Sequence, residues 1–314
     1  MDIHPCECYR KDMAVIETIA PIFLIIIFGV VLERRGFLKS PFIEEANRFV
    51  YLFPLPLLIF TGIMKSNIQD VTASHIAAAI VPTLMILGIA FGIGLAIGLR
   101  NGKLGSFVQI SFHGNVSYVG LALLLYMLGE DGLRRGSILV GILIFLNNVL
   151  AITVLAWTSK RHGSVGKALL SIVTSPVIMA TFLGLTMLYL AVPIPGVAMK
   201  TMLIMANIAL PLALTLMGAS MSMGTIWQNL KFSALSAALK LVLLPGIALA
   251  FSSIADVPPR AALPAIILLA TPTAISTYVL AREMGGDENL ASGSVTLSTL
   301  LSPFVFVLWI WAVQ

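Results

Sequence analysis

The sequence predicts an all-α integral membrane protein: ten transmembrane helices in two inverted five-helix repeats, with helices 4 and 9 broken. Three observations predict it. Apolar residues make up 59% of the chain and charged residues only 11%, against about 25% charged in an ordinary soluble domain. Apolar runs of span length recur at roughly 16–32, 42–63, 73–99, 104–128, 136–157, 168–191, 197–223, 232–255, 261–284 and 290–313. Finally, the turns and breaks of these runs repeat after 157 residues, half the 314-residue chain.

Each run can cross a hydrocarbon core of ~30 Å, which takes about 20 residues of helix. Helix is the required form, because lipid cannot satisfy the open edge of a strand. The period is read from matched features. Gly129-Glu130-Asp131-Gly132-Leu133 is echoed by Gly286-Asp287-Glu288-Asn289-Leu290, and Pro54-Leu55 by Pro211-Leu212. The polar break around Asn115 falls on the break around Pro272. The repeats are 1–157 and 158–314, joined by the hydrophilic turn Ser159 to Ser164. Five spans per repeat is an odd number, so the second repeat enters the membrane inverted. Inverted repeats interrupted at matching positions point to a secondary transporter.

Taken in order, residues 1–12 read as a disordered extension ahead of the first run, with Met13 as an alternative start of translation. His4, Cys6 and Cys8 do not make a closed tetrahedral site, so no metal is expected. The second and seventh runs carry Pro54, Pro56 and Pro211, each of which removes a backbone donor and bends its helix. Gly88, Gly92, Gly94 and Gly98 in the third run read as close-packing positions. The fifth holds Asn147-Asn148, and Asn47 and Asn207 lie near the starts of the second and seventh. The eighth contains Lys240, five residues before Pro245. Lys240 reads either as snorkelling to the interface or as an internal counter-charge.

Eleven Lys and Arg residues fall on odd-numbered loops, from Arg34 and Arg35 to Arg282, and seven on the other side. That excess places odd loops in the cytoplasm and both termini outside. The net charge of +5 therefore reports topology and not a nucleic-acid partner.

The fourth and ninth runs carry the chemistry. Gln109 to Gly120 contains Ser111, His113, Gly114, Asn115, Ser117 and Tyr118 between purely apolar flanks. Such residues are costly at bilayer depth unless they face a cavity. In the ninth run Pro272 breaks the hydrogen-bond ladder, and Thr271, Thr273, Ser276 and Thr277 either re-satisfy freed backbone groups or face substrate. If the two segments unwind and cross, two helix N-termini meet near the midplane, and their free N–H groups suit an anion. His113 titrates near neutral pH in its ordinary state and is a candidate proton relay. Intramembrane enzyme chemistry is disfavoured: His-Glu-x-x-His, Gly-x-Ser-x-Gly and paired intramembrane aspartates are all missing.

At these breaks the chain resembles a known family. Asn115-x-x-Tyr118-x-Gly120 is similar to the fourth-helix motif of the auxin efflux carrier family, whose bacterial branch is malonate- and malate-permease-like. Thr271-Pro272-Thr273-Ala274 and the run Ala281 to Asp287 resemble its ninth-helix motif and following turn. Leu297 to Leu300 before Pro303, Leu239-Lys240 before Pro245, and Met13 to Leu38 also fit. The resemblance implies the sodium–proton antiporter and bile-acid symporter fold, with scaffold and transport domains each drawn from both repeats. It also implies alternating access. Family members usually carry a proline in the fourth-helix crossover. Here Val119 to Ala122 has none, which leaves Gly114 and Gly120 to form the crossover or the helix less sharply broken.

The expectation is therefore a multi-pass carrier of the bacterial inner membrane for a small organic mono- or dicarboxylate. Substrate binding is assigned to Gly114, Asn115, Tyr118, Gly120, Thr271, Pro272, Thr273, Ser276 and Thr277, with a proton or charge role for His113 and Lys240. Asn115 is expected to donate to the carboxylate. No cofactor is expected. Sodium or proton coupling, the direction of transport, a homodimer and a passive channel remain open alternatives at the level of sequence.

Overall fold

A computed structural model describes residues 5–67, 72–159 and 165–313. Helix α1 (Pro5–Arg34) is followed by α2 (Ser40–Leu52) and α3 (Pro54–Met64), which are separated only by Phe53. Next come α4 (Ala73–Ala96), α5 (Asn101–Phe112), a π turn over Val116–Gly120, and α6 (Leu121–Thr158). The second half begins with α7 (Val165–Val173), α8 (Pro176–Tyr189), α9 (Gly196–Ala206) and α10 (Ala209–Ala219). The short α11 (Met223–Ile226) and a 3-10 turn lead to α12 (Leu230–Ala238), a π turn over Leu239–Leu243, and α13 (Leu244–Ile254). Then follow α14 (Pro259–Leu269), α15 (Ser276–Glu283) and α16 (Glu288–Val313).

Among the described residues, six continuous stretches are long and apolar enough to cross a membrane: Ser40–Met64, Ala73–Ala96, Val116–Thr158, Gly196–Ala219, Met223–Ile254 and Glu288–Ile310. Pro176–Tyr189 is a shorter apolar helix. The protein is a multi-pass membrane protein. Large apolar side chains face outward, among them Leu24, Phe28, Phe182 and Phe304, as lipid-facing surfaces require.

Several expected runs are interrupted. The fourth stops at Phe112 and resumes at Val116; the ninth stops at Leu269 and resumes at Ser276. The sixth divides into α7 and α8 ahead of Pro176, where the proline sits in the first turn and its missing N–H costs nothing. The end of the fourth run and the whole fifth run fall within one stretch, Val116–Thr158, which bends at Gly129 (φ 66°, ψ −159°). Of the N-terminal extension and the inter-repeat turn, residues 1–4 and 160–164 lie outside the described residues. From Pro5 onward the backbone is helical, so α1 begins ahead of Met13.

The helices pack in two groups. α1 lies along α10, and α3 against α8 and α9; α4 and α5 pack with α12 to α16; α6 touches both groups. The α1–α10 contact is set by two glycines. A Cβ on Gly29 would lie 1.9 Å from the Thr215 carbonyl oxygen, and one on Gly218 would lie 1.9 Å from that of Ile26. Only glycine lets these backbones approach so closely.

Candidate functional site

The two interruptions meet. Gly114 and Thr273 form an isolated antiparallel bridge, in which Asn115 N donates to Pro272 O (2.7 Å) and Ala274 N to His113 O (3.0 Å). Short extended segments buried this deep must satisfy their backbone groups within the protein, and each supplies the other. α5 therefore runs into one side of the bridge and α14 into the other, while the Val116–Gly120 turn and α15 leave it.

Local chemistry explains the first break without a proline. Asn115 has non-helical dihedrals (φ −79°, ψ 63°), and its Oδ1 accepts from Tyr118 N at 3.1 Å, capping the helix that restarts there. Gly120 N donates to Asn115 O at 3.1 Å, and so closes the wider π turn. Gly114 is demanded by space. A Cβ there would stand 2.5 Å from Thr271 Oγ1 and 2.9 Å from Lys240 Nζ. Gly120 is also crowded, with Leu268 Cδ2 2.7 Å from where its Cβ would be. The first crossover is thus fully broken, by glycine and an asparagine cap.

At the second break the threonine hydroxyls bond backbone. Thr271 Oγ1 donates to Leu268 O (2.7 Å), Thr273 Oγ1 to Ile110 O (3.1 Å) and Thr277 Oγ1 to Ala274 O (2.7 Å). Ser298 Oγ accepts from Thr273 N at 3.0 Å. All three threonines are buried. Behind them lies Lys240, fully buried in its π turn, whose Nζ donates to Leu269 O at 2.5 Å, at the C-terminal end of α14. Free carbonyls and the negative end of the dipole make this a favourable place for a cation. The ion pairs among the described residues are Lys65–Glu130, Lys103–Asp287 and Arg134–Asp131, so none of them gives Lys240 an acidic partner. Snorkelling to the interface is excluded by its complete burial.

A cavity of about 1020 Å³ leads to this junction from the protein surface. Its mouth is formed by Glu33 near the end of α1, Ser40, Glu44 and Arg48 on α2, and Arg282 on α15, all exposed. Its depth reaches His113, Gly114, Asn115 and Tyr118 at the first break, and Ala274 and Ser276 beyond the second. Gly120, Thr271, Pro272, Thr273, Thr277 and Lys240 do not line it; they form the layer behind its wall. Of the sequence-assigned positions, then, the structure brings Gly114, Asn115, Tyr118, Ser276 and His113 to the cavity.

Two of these polar groups keep bonding capacity to spare. Among the described residues the Asn115 amide Nδ2 has only the thioether of Met217 as acceptor, at 3.4 Å, and a thioether is a weak one. His113 stacks on Phe112, reaches Ser276 Oγ only through a long 3.5 Å contact at Nε2, and has no partner at Nδ1.

The cavity wall also holds residues outside the assigned set, of which the sequence had marked Asn47, Asn147 and Asn148 as amides in or near spans. Asn47 and Tyr51 come from α2, Asn147 and Asn148 from α6, and Ser220 from the end of α10. Tyr51 Oη lies 2.8 Å from Ser175 Oγ, and Asn148 Nδ2 donates to Ile144 O at 2.8 Å. The signal of the three asparagines was the cost of an amide inside an apolar run. Which face of the helix they occupied was not readable from one chain.

Residues 14–310 match the model of a family described as membrane transport protein. The chain belongs to this family. It is the family resembled at the two breaks, that of the auxin efflux carriers. Among its relatives is a protein named "Putative malonate transporter" from Rhizobium meliloti, 26% identical over 297 residues that cover 90% of this chain and 91% of that one. An uncharacterized transporter of Methanocaldococcus jannaschii is 23% identical over 309 residues, covering 95% and 99%. Another, from Methanothermobacter thermautotrophicus, is 24% identical over 298 residues, covering 93% and 96%. Family and relatives indicate a membrane transporter rather than an enzyme.

Proposed function

We propose that this family member is a secondary transporter that moves a small organic anion, a mono- or dicarboxylate, by alternating access. The observation that carries the reading is the composition of the junction. A cavity ends on two paired helix breaks, with the under-used Asn115 amide in its wall and, behind Gly114, the Lys240 amine, which has no acidic partner among the described residues. Among the described residues the cavity's carboxylates, Glu33 and Glu44, stand at its mouth and not at the junction, where an incoming carboxylate supplies the negative charge. The carboxylate accepts from Asn115 Nδ2 and from the backbone beside Gly114, while Tyr118 and Ser276 shape its surroundings. Lys240, held off the substrate by the crossing, acts as fixed counter-charge; His113 is the group placed to relay a proton.

The reading includes the ten-helix inverted arrangement. The α1, α2, α3, α8, α9, α10 group acts as scaffold, and the group around α4, α5 and α12 to α16 moves. With odd loops in the cytoplasm of a bacterial inner membrane, the cavity mouth at Glu33, Ser40 and Arg282 faces inward. The malonate assignment carried by the name of the Rhizobium relative supports the carboxylate class.

The test is counterflow in proteoliposomes loaded with short carboxylates, repeated with the sodium gradient, the proton gradient and the membrane potential collapsed one at a time. Saturable exchange of a carboxylate is expected. Its absence for every acid, or conductance without saturation, contradicts the reading. A sodium requirement contradicts the role given to Lys240.

A further inference from the structure

Four charged side chains line the mouth of the cavity: Glu33, Glu44, Arg48 and Arg282. The first three stand on α1 and α2, in the group read above as scaffold. Arg282 stands on α15, the helix that leaves the second break at Ser276. None of the four belongs to an ion pair among the described residues. An exposed arginine is ordinarily a solvated charge, and on a cytoplasmic loop it also marks topology. Arg282 is held in a more definite way. Its Nη1 donates to Tyr278 Oη at 2.9 Å, and its guanidinium carbon lies 5.3 Å from the centre of the Tyr278 ring. Tyr278 is itself a cavity residue. The side chain therefore folds back one turn along α15, toward the end of the helix that meets the junction.

α15 thus carries polar groups at both ends of one cavity wall. Ser276 lies near the junction, and Arg282 six residues on, about 9 Å along the helix axis. The backward lean shortens that gap. A guanidinium has five N–H donors, and Tyr278 takes one of them. The planar fork that is left fits a carboxylate through two parallel bonds. A monocarboxylate seated on Asn115 leaves the fork empty. A dicarboxylate fills both places.

We infer that Arg282 is a specificity-determining residue that binds the second carboxylate of a dicarboxylate whose first carboxylate sits at Asn115. The inference rests on the carboxylate reading above and narrows its substrate class to diacids. Glu33 and Glu44 do not share this role, since a carboxylate repels an anion, and Arg48 stands on the scaffold side, off the helices of the crossing.

Purified protein in nanodiscs is titrated calorimetrically with malonate, succinate and glutarate, and with the monomethyl ester of each. Ionic strength is fixed, and the pH is one at which both carboxyls of the diacids are ionised. Acid and ester share a carbon chain and differ by one carboxylate. At least one diacid is expected to bind the wild type about fivefold or more tightly than its ester. In Arg282→Gln that advantage is expected to shrink to within about twofold. Arg48→Gln removes the same charge from α2 and is expected to keep the advantage.

Ester binding by the wild type with no advantage for any diacid overturns the inference while leaving the carboxylate reading intact. So does a folded Arg282→Gln that keeps the advantage. An equal loss in Arg48→Gln also overturns it, because the effect would then belong to the net charge of the mouth. Arg282 is exposed, so its replacement is expected to leave the fold intact. If the glutamine variant does not fold, Arg282→Met, which keeps the apolar stem, takes its place with the same expectation. Failure of every acid and ester to bind removes both readings together.

Discussion

At the first break the side chains of His113, Asn115 and Tyr118 border the cavity, whereas at the second the hydroxyls of Thr271, Thr273 and Thr277 bond backbone carbonyls behind it. The backbones are treated alike, each supplying the other's missing partners across the Gly114–Thr273 bridge. Only the side chains differ. The difference teaches how a membrane protein keeps an irregular segment buried and still leaves part of it free to bind. One strand of the crossing is satisfied by its own threonines and holds the geometry; the other is left with spare donors.

Five substitutions test that division, in decreasing order of expected effect. Gly114→Val should do the greatest damage, because its Cβ alone would meet Thr271 Oγ1 at 2.5 Å and Lys240 Nζ at 2.9 Å. Overpacking of this kind costs about 1–3 kcal/mol or more, so a lowered melting temperature in detergent and no uptake are expected; an unshifted melt would show that the crossing is looser than described. Lys240→Met removes the buried amine and keeps its length. Carboxylate affinity measured by titration should fall about tenfold or more, and unchanged affinity would take Lys240 out of the electrostatics of the site.

The threonines should behave differently. Thr271→Val and Thr273→Val each delete one hydrogen bond to backbone, worth about 1 kcal/mol. Melting temperature should drop modestly while the ranking of substrates stays the same; a changed ranking would put these hydroxyls in contact with substrate. Pro272→Ala should be mildest of all. The extended backbone there is already held by Asn115 N on Pro272 O and Ala274 N on His113 O, so a small stability loss with uptake retained is expected. Complete loss of uptake would show that the proline itself, and not the bridge, holds the second break.

Much of this was legible in the chain before its fold. Apolar runs at bilayer length gave the helices, and polar residues packed between Gln109 and Gly120 marked the fourth run as one that could not be an ordinary lipid-facing span. Pro272 announced the second break because proline has no N–H to give. The first break was harder to judge. Its cause is a close approach, the space that Gly114 leaves for Thr271 and Lys240, and a contact over more than a hundred residues of sequence leaves no local signature. The same reason hid the split between lining and backing residues. Thr273 and Asn115 look equally polar in the sequence, and only the position of Ile110 O decides that one hydroxyl is already used. Asn147 was visible as an amide in a span, but that it lines the cavity follows only from the course of α6.

The central claim is that the spare amide of Asn115 binds a carboxylate at the crossing. Its most direct test is calorimetric titration of a panel of short carboxylates into wild type and Asn115→Ala in the same nanodisc preparation, with melting curves recorded alongside. Loss of the Asn115 cap should cost the fold only about 1 kcal/mol, leaving a folded protein to titrate. At least one acid should bind the wild type and lose about tenfold or more in affinity for the variant. Equal affinity in the two proteins would contradict the account, whatever the transport assays show.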